Sequence, residues 1–184
     1  VLGALFEASG ATTALDLFTG TTRVAQEFKR RGGNVTAVDT ARYSEVFAKC
    51  YISTDSRLVS QKEVTEALDY LSNLSGEPGY FTDTFCVQSR FVQPFNGERI
   101  DAIRNVLDAQ FGESPLFPLL LTSLIEAVDR VDSTTGVQMA YVKKWARRSF
   151  NKLELRPPEL LPGTGEAIRG DANELAMQIG PFDL

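Results

Sequence analysis

The sequence predicts an α/β protein, a parallel sheet interrupted by a largely helical insertion between its second and third strands. Three observations predict it. Short β-prone runs closing on an acid recur at residues 12–18, 35–39 and 167–171. One amphipathic helix separates the first two, and that order makes the strands parallel with a right-handed crossover. From residue 51 to residue 161, apolar residues recur at helical rather than strand spacing.

The first strand is TTALDLF, residues 12–18, closed by the turn Thr19-Gly20. A helix follows over residues 22–31. Val24, Ala25 and Phe28 give it an apolar face, and Lys29, Arg30 and Arg31 lie where cations favour the negative end of the helix dipole. Gly32-Gly33 supplies the stop. VTAV, residues 35–38, is the second strand and ends in Asp39. Tyr43, Val46, Phe47 and Cys50 then recur at helical spacing, as do Val64, Ala67, Leu68 and Leu71.

Gly76, Pro78 and Gly79 break the pattern, and residues 80–94 are aromatic and irregular. Helices are expected over residues 98–110, on Ile100, Ile103 and Leu107, and over residues 116–130, on Leu120, Leu121, Leu124, Ile125 and Val128. Residues 132–150 turn from polar to strongly basic. Ala167-Ile168 is a third short strand ending in Gly170-Asp171, and residues 182–184 begin a fourth. This divides the chain into residues 1–50, an insertion over 51–161, and a return to the α/β part over 162–184.

Composition excludes several chemistries. The 184 residues carry a net charge of -5, which argues against coating nucleic acid by bulk charge. There is no histidine, so His-built metal centres, Ser-His-Asp triads and Cys-His pairs are out. Two cysteines, Cys50 and Cys86, are too few for a disulfide framework and fit a reducing, cytoplasmic setting. The longest apolar stretch, residues 116–121, is far short of the ~20 residues a membrane helix needs.

Chemistry concentrates at strand ends. Asp16 precedes the Thr19-Gly20 turn, at the carboxyl edge of an open sheet where ligands bind. Only one glycine of a GxGxxG fingerprint is present, which disfavours a pyrophosphate, and a carboxylate there suits a cation. Asp39 can accept both hydroxyls of a ribose or cap the next helix. Asp171 offers the same pair of readings. Three such acids outline a pocket for an adenosine-like ligand carrying positive charge and no phosphate; S-adenosylmethionine fits. Separately, Lys143, Lys144, Arg147 and Arg148 cluster beside Tyr141 and Trp145, either as a phosphate-tracking patch with stacking aromatics or as a solvated basic face. The aromatic run from Phe81 to Phe95 suits a core better than a base-stacking platform.

These segments carry a resemblance. ALDLFTGTTRVAQEFKRRG with VTAVD resembles the first two motifs of Dam-type DNA adenine methyltransferases. FNGERIDAIR and LLTSLIEAVDRVDSTTGVQMAYVKKWARRSF are similar to the insertion of one subgroup, and RGDANELA to the lead into the catalytic motif. The resemblance implies an incomplete Rossmann-like methyltransferase sheet whose insertion is a target-recognition region. It implies S-adenosylmethionine as cofactor, with Asp16, Phe18, Gly20 and Thr21 on the methionine side, Asp39 on the ribose, and Asp171 with Ala172 on the adenine. It implies DNA as partner, contacted by Arg90, Arg130, Thr135, Gln138, Lys143, Lys144, Arg147 and Arg148, and a cognate restriction endonuclease as companion, with no metal.

Two departures stand out. Thr22 occupies a position where many methyltransferases have a second glycine, and the catalytic Asp-Pro-Pro-Tyr is absent. With Val1 at one end and an unfinished strand at the other, we read the chain as a fragment that carries no catalytic residue of its own. A small-molecule or RNA methyltransferase, or a non-catalytic DNA-binding module, would share much of this pattern.

Overall fold

The computed structural model describes residues 1–136 and 144–184. They form two compact units, one of residues 1–60 with 158–184 and one of residues 61–157.

In the first unit, β1 (Thr13–Asp16), β2 (Asn34–Asp39) and β3 (Glu166–Arg169) form a parallel sheet in the order β1-β2-β3. The central strand β2 buries Val35, Thr36, Ala37 and Val38 in succession, the run expected of a strand covered on both faces. Register aligns Asp16 with Ala37, and Asp39 with Arg169. All three strands therefore end at one edge of the sheet.

The crossover helix α2 (Arg23–Arg30) buries Ala25 and Phe28 as its pattern requires. Phe28 stacks on Phe6 of an amino-terminal helix, α1 (Leu2–Ser9), with ring centroids 5.1 Å apart. The sequence alone predicts no element there, because only this partner reveals which apolar residues of the first ten face inward. The expected fourth strand is not a strand among the described residues. Its carbonyl at Leu184 nevertheless accepts from Leu15 N at 2.9 Å, and the Asp183 carboxylate takes the amides and hydroxyls of Thr12 and Thr13. The Thr12 carbonyl accepts from Asn34 N of β2 at 2.9 Å, while Leu15 N bonds on the opposite edge of β1.

The single helix expected through Cys50 is two pieces, α3 (Arg42–Ala48) and a π-helical turn (Lys49–Ser53). Cys50, Tyr51 and Ile52 are all buried there. The end of this turn is held by Lys29, whose Nζ donates to the carbonyls of Tyr51 (3.0 Å), Ile52 (2.8 Å) and Thr54 (2.6 Å). Lys29 is thus a buried strut, only 2% exposed, and not the dipole-facing surface cation its sequence position suggests.

The second unit is helical. α4 (Gln61–Ser72), α5 (Pro94–Phe111) and α6 (Phe117–Val131) pack on one another through Leu68, Leu71, Ile103, Leu107, Leu119 and Leu120. Each such side chain contributes about 1.5–3 kcal/mol by leaving water. The segment expected to be irregular holds a π-helix, Thr82–Gln88. Its entry is organised by the buried Asp101 carboxylate, which accepts from the amides of Gly79, Phe81 and Thr82 and from the Thr82 hydroxyl, all within 2.7–2.9 Å. Of the aromatic run, Phe81 and Phe85 are half-buried against each other at 4.9 Å, while Tyr80 and Phe95 are exposed. Among the described residues no helix is long and apolar enough to cross a membrane.

Candidate functional site

The carboxyl edge of the sheet is built by the turn after β1. Thr19 N donates to Val38 O at 3.0 Å, seating the turn on β2, and Thr22 N closes it on Thr19 O at 2.6 Å. Gly20 sits at φ 50 and Thr22 at φ 63. The left-handed region costs glycine little, and a β-branched residue held there stores about 1–3 kcal/mol. A Cβ on Gly20 would meet no atom within 4 Å, so the turn is open on that side. Phe18, 80% exposed, and the exposed Thr21 flank it.

Asp39 pins the same turn. Its Oδ2 accepts from Gly20 N and its Oδ1 from Ala41 N, both at 2.9 Å. Burial opposes its charge more than any other single cause, yet the amides of Ala41 and Gly20 with the Ser44 hydroxyl together hold its pKa below the ordinary carboxylate value. Of the two readings of Asp39, a cap of the next helix is only loosely met, since the residue that caps α3 is Ala41.

Asp16 behaves in the opposite way. Burial raises its pKa and the neighbouring Asp39 charge adds to the rise, against the opposing Thr19 hydroxyl and the Ala25 and Phe18 amides. Neither Asp16 Oδ2 nor Thr19 Oγ has a partner in good bonding geometry. A buried carboxylate oxygen without a donor is costly, and a cation would relieve it.

Gly170 N donates to Asp39 O at 3.0 Å, which brings the end of β3 to the same edge. Asp171 follows and caps the short helix α7 (Ala172–Leu175), accepting from Asn173 N at 2.7 Å. Asp171 is exposed and Ala172 is buried. The structure therefore brings Asp16, Phe18, Gly20, Thr21, Asp39 and Asp171 to one edge of one unit. Sequence reading missed Gln26, which is buried and bonded to Thr22; its place one helical turn past an unusual non-glycine residue was the available signal.

The described candidates for DNA contact, Arg90, Arg130, Thr135, Lys144, Arg147 and Arg148, all belong to the second unit. Lys144 and Arg147 are exposed. Arg148 pairs with Asp132, Arg130 donates to Glu154 O at 2.8 Å, and the Arg90 guanidinium lies 5.2 Å from the Trp145 ring centre. Three of the five described cations are therefore partly committed to neighbours. Thr135 is exposed; Gln138 and Lys143 lie outside the described residues. Only a 3-10 turn, Arg147–Phe150, represents the expected basic helix face among the described residues.

The family model for D12 class N6 adenine-specific DNA methyltransferases matches residues 1–182. The chain belongs to that family. This D12-class chain is 31% identical over 180 residues to Modification methylase StsI of Streptococcus sanguinis, covering 90% of the chain and 27% of the relative. It is 30% identical over 182 residues to the type II methyltransferase M.FokI of Planomicrobium okeanokoites, covering 90% and 28%. With M.NlaIII of Neisseria lactamica it shares 27% over 174 residues, covering 89% and 51%. The D12 chain thus spans between about a quarter and a half of the length of these curated relatives. No solved structure matches it.

Proposed function

We propose that this chain is the cofactor-binding and DNA-recognising part of a methyltransferase that moves a methyl group from S-adenosylmethionine to the exocyclic amine of adenine in DNA. The observation that carries the proposal is the partnerless, buried Asp16 oxygen beside the open Gly20 turn, in a chain of this family. The bound cofactor supplies an electrophilic methyl on sulfur. Asp16 meets the cationic methionine end, with Phe18, Gly20 and Thr21 around it. Asp39, kept ionised by the Gly20 and Ala41 amides and the Ser44 hydroxyl, takes the ribose hydroxyls. Asp171 and Ala172 border the adenine. None of these groups needs to act as acid or base; their contribution is to hold the donor in line.

In the helical unit, Lys144 and Arg147 are the cations best placed to take DNA phosphates, joined by Arg90, Arg130, Thr135, Arg148 and, outside the described residues, Gln138 and Lys143. The target base is drawn out of the stack to meet the cofactor, as enzymes acting on a single base require. A cognate restriction endonuclease and a cytoplasmic setting belong to the same proposal.

The test is incubation of the natural protein with DNA and methyl-labelled cofactor. Label on adenine N6 is expected, and labelled DNA bases other than adenine, or none, would reject the proposal. Asp39→Ala should abolish cofactor binding; unaltered affinity counts against the assignment.

A further inference from the structure

Thr22 is the one residue of the turn whose backbone contradicts its side chain. It holds φ 63 while completely buried, where the strain of a β-branched residue has no solvent to relax into. Something must hold it. Gln26, one helical turn later and itself 6% exposed, donates from Nε2 to Thr22 Oγ1 at 2.9 Å. That bond takes up the hydroxyl as acceptor, and the hydroxyl in turn donates to Thr21 O at 2.7 Å. The other polar atom of the same peptide, Thr22 N, goes to Thr19 O. Both polar atoms of the Thr21–Thr22 peptide are thus committed within the turn, and its plane cannot rotate without breaking a buried bond.

We infer that Gln26 is a positioning residue of the cofactor turn. Its amide fixes, through Thr22, a conformation that glycine would adopt unaided, and thereby sets the plane of the Thr21–Thr22 peptide and the open side of the turn. The inference rests on the proposed cofactor role of that turn. Gln26 touches no ligand and acts only through Thr22.

The experiment compares binding of S-adenosylhomocysteine, by titration calorimetry on the natural protein, among the unaltered chain, Gln26→Leu, and Gln26→Leu combined with Thr22→Gly. Losing one buried hydrogen bond should weaken binding roughly tenfold in Gln26→Leu. The added Thr22→Gly should restore most of it, because glycine reaches φ 63 without a brace. Amide exchange at residue 22 without ligand should speed up in the single variant and slow again in the double. Should Gln26→Leu not fold, Gln26→Asn, one methylene short of Thr22, replaces it. An undiminished affinity in the single variant, or a loss that glycine does not rescue, overturns the inference while leaving the cofactor reading intact. Failure of the unaltered protein to bind would overturn the cofactor reading, and this inference with it.

Discussion

Replacing Lys29 with Met tests how the crossover helix is tied to the turn that ends α3. Burial pulls the Lys29 pKa from its ordinary 10.5 down to about 8, with the Asp55 charge partly opposing. Three backbone carbonyls depend on its ammonium. Their loss should cost about 2–4 kcal/mol at pH 7, less than three full charged bonds because the desolvation of the ammonium is recovered.

The pH dependence is the sharper test. Between pH 8 and 10.5 the native protein has shed the Lys29 proton while the unfolded chain keeps it, so the unfolded state binds more protons and stability rises with pH. At about 1.4 kcal/mol per pH unit, the gap between the parent and Lys29→Met should widen by up to about 3 kcal/mol over that interval. Urea unfolding of both proteins at pH 7, 8, 9 and 10 measures it. A gap that stays flat or narrows with pH would refute a buried, depressed Lys29.

Two further outcomes follow from the site and the sheet. Because Asp16 must be ionised to hold a cation and its pKa is raised above the ordinary 3.8, affinity for S-adenosylhomocysteine should fall on acidification with a midpoint above that value. In Asp16→Asn the acid limb should vanish and affinity at pH 7 drop about tenfold or more, and an unchanged pH profile by calorimetry would remove Asp16 from the site. Gly165→Ala places a methyl 2.4 Å from Val35 O and 2.7 Å from Ile52 Cγ2. Backbone cannot yield as a flexible side chain would, so the variant should lose about 3 kcal/mol and melt several degrees lower by circular dichroism; an unshifted melt would contradict the close approach of β3 to β2.

Much of the candidate site was legible because strand ends announce themselves. Asp16, Asp39 and Asp171 each close a short β-prone run, and parallel pairing alone sends such residues to one edge. The presence of α5 and α6 followed from their apolar spacing, since one face of each had to be buried, although α5 begins at Pro94 rather than at the expected residue 98. The π-helix at Thr82–Gln88 did not follow, because its entry depends on Asp101, whose partners lie about twenty positions earlier in the chain. Nor could the basic residues be sorted, as the difference between exposed Arg147 and the paired Arg148 is decided by Asp132, distant in the chain.

Local chemistry determined the order of strand and helix, the acids at strand tips and the exclusion of histidine chemistry, because each depends on near neighbours in the chain. Tertiary packing decided the charge behaviour. Asp16 and Asp39 are the same residue type at equivalent positions, yet burial pushes the first up, one of its oxygens lacking a partner, while the second is surrounded by amides and pulled down. Lys29 reads as an ordinary helix-end cation until three distant carbonyls surround it. The number of donors or acceptors around a buried group is a property of folded neighbours, and no periodicity in the chain encodes it.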